Sequence, residues 1–218
     1  MTIRKIERNH MDVIGTCKAL ALMASITGLS QGHLHTSEKA LQHIINLESC
    51  RLMPYKCQAG IWTDGIGNTA NVKPGILITE QEAAQEFVAH IKHFEKELAR
   101  LLVEPISQPV WDSLISFMFN VGVNAFKRST LLSRLQHGQT FEACMEMGRW
   151  IYVKKKISKG LQNRRKKEIT WCLSGLYDPV HPYEMDVMDL LQELQYYQSK
   201  NNTFMLYELA SEAIDVQR

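Results

Sequence analysis

A chain of 218 residues can hold one well-buried domain with flanking segments, or two small domains, and is too short for a large multidomain machine. Its 45% hydrophobic content, with 25 Lys and Arg against 23 Asp and Glu, excludes a disordered, collagen-like or mucin-like chain. A formal net charge of +2 also excludes the basic excess of a dedicated nucleic-acid binder, so no nucleic-acid partner is expected and any such role would be confined to a local patch.

Residues 1–36 begin with Arg4, Lys5 and Arg8 and continue into a weakly apolar stretch from Val13 to Leu29, interrupted by Lys18. The 11-residue run from Ala19 to Leu29 suits the core of a signal sequence better than a stable span of about 20 apolar residues. An amphipathic helix packed on the domain is the alternative. Ala40, Leu41, Ile44 and Ile45 then mark a helix with one apolar face, which Thr36 or Ser37 can cap. The periodicity breaks at Pro54, and from Tyr55 to Pro74 the glycines Gly60, Gly65 and Gly67, set among Tyr, Ile, Trp and Val, predict a hairpin or two.

Thr79 and Glu82 form a capping-box signature before a long amphipathic helix to Leu102. Pro109 starts a segment, WDSLISFMFNVG, that is apolar on nearly every side and predicts a buried central helix. Shorter helices are expected at about Thr130 to Gln136, Phe141 to Tyr152 and Gly160 to Leu173. After the break at DPVHP, two amphipathic stretches, Met185 to Tyr197 and Phe204 to Val216, predict a helical extension over 176–218. Packing on the main domain or binding a protein partner are its two readings.

Glu48 follows Ile45, Ile44 and Leu41 by three, four and seven residues, which places its carboxyl on the face expected to be buried. Burial disfavours the anion, and a glutamic acid kept protonated near neutral pH is what a general acid requires. From periodicity alone, Glu48 could equally end the helix and turn to solvent, or pair with an arginine.

The residues that follow, ESCRLMPYKCQAGIWTDGIGNT, resemble the signature of the phage-type lysozymes, or endolysins, of glycoside hydrolase family 24. Glu48, Cys57 and Thr63 fall on that family's glutamate, aspartate and threonine positions. The resemblance continues through SFMFNVG, FKRSTLLSRLQHG, GRWIY and GLQNRRKKE, and so covers nearly all of 37–175. It implies an α+β fold, mainly α, lysozyme-like, with a small β-hairpin lobe and a larger helical lobe flanking a cleft. It also implies cleavage of the β-1,4 bond between N-acetylmuramic acid and N-acetylglucosamine of peptidoglycan, with no cofactor and no metal.

In these terms Glu48 is the general acid, Thr63 positions water or substrate, Arg164 matches an arginine able to pair with the catalytic glutamate, and Asn120 matches a sugar contact. Cys57 departs from the commoner aspartate and matches a family branch that carries cysteine there. That branch implies a signal-arrest-release endolysin with transient inner-membrane association, acting at the periplasmic face of a phage's host. Cys17, Cys50 and Cys57 would form its redox switch: a Cys50 to Cys57 bridge is the latent state, and capture of Cys50 by Cys17 frees Cys57. Cys144 and Cys172 are then a candidate structural pair.

The five cysteines form no CxxC pair, which argues against structural zinc, and His33, His35 and His43 lack ligand partners at metal spacing and read as surface residues. The eight cations of YVKKKISKGLQNRRKK suit an anionic cell wall, a solvated helix face or, more remotely, nucleic acid. Two other functions compete with host lysis. One is an antibacterial muramidase effector delivered from the cytoplasm to rival cells; the other is a catalytically inactive lysozyme-like wall-binding module.

Overall fold

The computed structural model describes Cys17, Ser25, Ile26, Gly28, Leu29 and residues 34–48, 50–57 and 60–176. Most of the expected signal-like segment, and the helices expected in 176–218, lie outside the described residues. The chain divides after Glu95 into two compact units.

In the first unit, helix α1 (Glu38–Glu48) buries Ala40, Leu41, Ile44 and Ile45, the face that the periodicity marks. Ser37 is its cap, since the Ser37 hydroxyl accepts from the Ala40 amide at 3.2 Å. Thr36 has another task. Its amide and hydroxyl both donate to Glu95 Oε1, at 2.6 and 2.7 Å, tying the entry of α1 to a distant helix.

Strand β1 (Arg51–Lys56) pairs antiparallel with β2 (Trp62–Gly65), with Arg51 opposite Gly65, Tyr55 opposite Thr63 and Lys56 opposite Trp62. The hairpin therefore starts four residues before the expected Tyr55, and Pro54 lies inside the strand rather than breaking it. The register shifts between Arg51 and Tyr55, so Pro54 falls in an irregular stretch, where its missing N–H is tolerated. Past the turn, α2 (Glu80–Leu101) opens on the expected capping box. The Thr79 amide and hydroxyl donate to Glu82 Oε2 at 2.7 and 2.8 Å, and the Glu82 amide donates to the Thr79 hydroxyl at 3.1 Å. These bonds hold the Glu82 carboxyl below its ordinary pKa.

The second unit is built around α3 (Gln108–Val121), in which every residue from Val110 to Met118 is buried, as its all-round apolar sequence predicts. Gly122 follows at φ 82°, a left-handed conformation that a side chain would strain, and this turns the chain from α3 into the short α4 (Val123–Lys127). Helices α5 (Thr130–Gln136) and α6 (Thr140–Glu146) come next, and Ser129 caps α5 through the Leu132 amide at 3.1 Å.

The helix expected to run from Phe141 to Tyr152 is shorter. After Glu146 it tightens into one 3₁₀ turn, Met147–Arg149, and Tyr152–Val153 then pairs as strand β3 with β4 (Lys156–Ile157). The aromatic and β-branched residues Tyr152, Val153 and Ile157 favour extended backbone over a last helical turn. Ser158 restarts the helix by accepting from the Leu161 amide, and α7 (Lys159–Ser174) packs along α3. Among the described residues the architecture is mainly helical with two small antiparallel sheets.

Cys144 of α6 and Cys172 of α7 are joined by a disulfide that closes a separation of 28 residues, and both are buried. A loop of that length is constrained in the unfolded chain by about 3.5 kcal/mol. Replacing both with alanine is expected to lower unfolding free energy by about 3 kcal/mol, read by urea titration, with no change in the fold by circular dichroism.

Candidate active site

Glu48 is the last residue of α1 and is half-buried, between the buried and solvated positions that periodicity alone left open. Two residues later, Cys50 is joined by a disulfide to Cys17, 33 positions earlier in the chain, and the Cys17 amide approaches the Cys50 carbonyl at 3.5 Å. Cys57 belongs to neither bridge and is half-buried. It sits just past the end of β1, where its amide donates to the Ile61 carbonyl at 2.9 Å and its own carbonyl accepts from the Gly60 amide at 2.8 Å.

Thr63 is buried opposite Tyr55, and its hydroxyl donates to the same Ile61 carbonyl at 3.2 Å. One backbone oxygen thus ties Cys57 and Thr63 together at the turn end of the hairpin. With its proton engaged there, the Thr63 oxygen is left to accept from a donor such as water.

Between Cys50 and Cys57 the chain is extended, so a seven-residue separation corresponds to roughly 20 Å at strand rise. A disulfide needs Cα atoms within about 7 Å. Bridging Cys50 to Cys57 and forming β1 are therefore mutually exclusive.

Sequence reasoning missed a polar cluster beneath this hairpin. Asp64 and Asn68 are both buried, exchange two backbone hydrogen bonds at 3.0 Å, and are joined by Asn68 Nδ2 donating to Asp64 Oδ1 at 2.8 Å. Gly65 between them takes φ 52°, and a Cβ there would meet Glu86 Oε2 at 3.4 Å. The Glu86 carboxyl is raised above its ordinary pKa by burial first, then by the charges of Asp64 and Glu82, against a lowering hydrogen bond from Asn68. An Asp and an Asn four apart around GIG was the available signal, but Glu86 enters from another element.

In the second unit Arg164 and Arg165 both turn inward. Arg164 Nε meets Glu168 Oε1 at 3.0 Å and Arg165 Nε meets Glu168 Oε2 at 2.9 Å, with all three side chains at most 6% exposed. Arg164 Nη2 donates to the Ser116 carbonyl at 2.9 Å, and the Ser116 hydroxyl donates to Glu168 at 2.7 Å. Burial pushes the Glu168 carboxyl up, and the two guanidiniums and Ser116 oppose that shift.

Arg165 also lies 4.7 Å from the Phe117 ring centroid and donates to Asn120 Oδ1 at 2.8 Å. Asn120 is exposed, and because its oxygen is engaged by Arg165, its amide N–H groups are turned outward as donors. Two of the eight cations in the basic stretch are consequently structural, which sequence alone could not separate from the rest. Of the histidines read as surface residues, His35 is exposed, His43 is half-buried at the back of α1, and His33 lies outside the described residues.

The phage lysozyme family matches residues 45–168, and this chain belongs to that family. It is 35% identical over 170 residues to the SAR-endolysin of Haemophilus phage HP1, covering 71% of this chain and 90% of the relative. With the SAR-endolysin of Escherichia phage P1 it shares 30% over 174 residues, covering 74% of this chain and 94% of that one. Among solved structures, the active form of P1 phage endolysin Lyz superposes with a TM-score of 0.67 at 28% identity, over 77% of this chain and 99% of that one.

The raised Glu86 pKa gives a signed expectation. Above that pKa the folded protein bears a carboxylate it holds less well than the unfolded chain does, whereas in acid the group is neutral in both states. Glu86→Gln is expected to raise Tm at neutral pH. The gain should shrink to nothing as pH falls below the ordinary glutamate range, as measured by thermal melts across pH.

Proposed function

We propose that this peptidoglycan hydrolase is a muramidase that cleaves the β-1,4 bond between N-acetylmuramic acid and N-acetylglucosamine, using Glu48, Cys57 and Thr63. The chain is an endolysin, an enzyme of host-cell lysis. The observation that carries the residue roles is the turn end of the β1–β2 hairpin, where one carbonyl holds both Cys57 and Thr63 on the strand pair that follows the helix ended by Glu48. Glu48 protonates the leaving glycosidic oxygen, Cys57 acts as base or nucleophile once deprotonated, and Thr63 accepts a hydrogen bond from the water or sugar hydroxyl. Asn120, with its donors turned outward by Arg165, contacts sugar.

The enzyme acts at the periplasmic face of the inner membrane, with residues 1–36 as its reversible anchor, 37–175 as its catalytic domain and 176–218 as an extension of it. Its latent state carries the Cys50 to Cys57 bridge. The Cys17 thiolate attacks Cys50 sulfur, the Cys17 to Cys50 bond forms, and Cys57 leaves as thiolate, so the exchange needs no added oxidant. Support for this reading is the bond between Cys17 and Cys50 together with an intact β1, the strand that the latent bridge would have to dismantle.

Glu48→Gln should lower the release of reducing ends from purified peptidoglycan by about 100-fold or more, with an unchanged circular dichroism spectrum. Full activity in that variant would remove the assignment. Cys17→Ser protein, once off the membrane and under oxidising conditions, should stay inactive until a reductant is added. Activity equal to the unaltered chain without reductant would sink the switch while leaving the muramidase intact.

A further inference from the structure

The β3–β4 hairpin has no part in the chemistry above, and its composition is unlike that of a passive turn. Its two central residues are Lys154 and Lys155, at φ 48° and 65°. A two-residue hairpin turn with both centres at positive φ is normally filled by Asn-Gly or Gly-Gly, because long L side chains are crowded there. This chain places two cations at that strained tip, and strain kept at a surface turn points to use of the side chains it carries.

Lys156 and Lys159 add to them, all four lysines are exposed, and no Asp or Glu occurs anywhere in residues 147–167 to neutralise them. The neighbouring Arg164 and Arg165 are spent on Glu168 inside the protein, so four of the exposed cations of the stretch belong to the hairpin and the start of α7, with Lys167 exposed further along the helix.

The same hairpin exposes large apolar side chains. Tyr152 and Ile157 are each 57% exposed and Val153 is 45% exposed. Tyr152 lies directly opposite Ile157 in the ladder, so the two form one contiguous patch on a single face of the ribbon. A polyanionic glycan or a nucleic acid would satisfy the lysines and could stack on Tyr152, but offers nothing apolar to the exposed Ile157 and Val153. A lipid surface satisfies both, with ammonium groups at the headgroup phosphates and the tyrosine and aliphatic groups at the headgroup–acyl boundary.

We propose that residues 152–159 form a docking element for anionic phospholipid membranes, with Lys154 and Lys155 as headgroup contacts and Tyr152 and Ile157 as the shallow apolar insertion. It is separate from any anchoring by residues 1–36 and from the catalytic groups.

The full chain can be tested by hydrogen–deuterium exchange with vesicles of phosphatidylglycerol and phosphatidylethanolamine, with phosphatidylcholine vesicles and with purified peptidoglycan sacculi. Amides of 151–159 should gain protection on the anionic vesicles, and neither phosphatidylcholine nor sacculi should reproduce it. Lys154→Asn with Lys155→Gly restores a favoured turn while removing two charges. It should fold at least as well and keep full activity on soluble peptidoglycan fragments. It should also need roughly 25-fold more anionic lipid for half-maximal protection, at about fivefold per lysine. Tyr152→Ser with Ile157→Ser should weaken lipid protection while leaving all four lysines in place. No protection of 151–159 on anionic vesicles, equal protection on phosphatidylcholine, or protection conferred by sacculi instead would overturn the proposal.

Discussion

An extended strand cannot bring its own ends together, and β1 sets Cys50 at one end and Cys57 at the other. The geometry around Cys57 depends on this. Only while β1 pairs with β2 does the Ile61 carbonyl reach the Cys57 amide, and only then does Thr63 lie buried opposite Tyr55. The bridge from Cys17 to Cys50 is compatible with that pairing, because it enters at the end of β1 and demands nothing of the ladder. One secondary-structure element therefore keeps Cys57 apart from Cys50 and arranges Cys57 and Thr63, two candidate catalytic residues, about one carbonyl.

The second unit rests on a different kind of constraint. Glu168 sits fully buried between two guanidiniums, with the Ser116 hydroxyl as a further donor and Phe117 under Arg165. Removing any one charge from such a cluster strands another in a medium that cannot solvate it, at a cost of about 3–5 kcal/mol. That makes the α3–α7 contact specific, and it has a consequence at the surface. Arg165 fixes which way the Asn120 amide faces, so an exposed residue inherits its orientation from a buried ion pair.

Much of the helical architecture was legible in the residue pattern, because 3.6-residue periodicity and capping chemistry are local. The buried face of α1, the Thr79 and Glu82 box and the all-round burial of α3 follow from neighbours within a turn or two. Where the reading differed, a competing local preference or a distant partner prevailed. Pro54 was tolerated in a strand because the register slips around it. Helix α6 ended early because Tyr152 and Val153 pair with Ile157 and Lys156, and Thr36, one residue before the cap position, gives its two donors to Glu95 while the Ser37 hydroxyl accepts from the Ala40 amide. The polar cluster of Asp64, Asn68 and Glu86 was invisible for a similar reason, since its third member comes from another helix.

By itself the sequence determined the mainly helical class, the succession of most helices, the lysozyme family and the candidates Glu48, Cys57 and Thr63, because these are carried by short-range pattern and by an ordered series of motifs. The family resemblance names Cys17 with Cys50 and Cys144 with Cys172, and the packing of distant elements is what brings each pair into bonding distance; tertiary structure alone decided that the run of eight cations divides into two buried arginines and a set of exposed or half-exposed lysines. The physical reason is distance along the chain. A disulfide across 28 or 33 residues, or a carboxylate that draws two arginines inward beside a helix supplied from about 50 residues earlier, depends on how separate elements pack, which local preference does not encode.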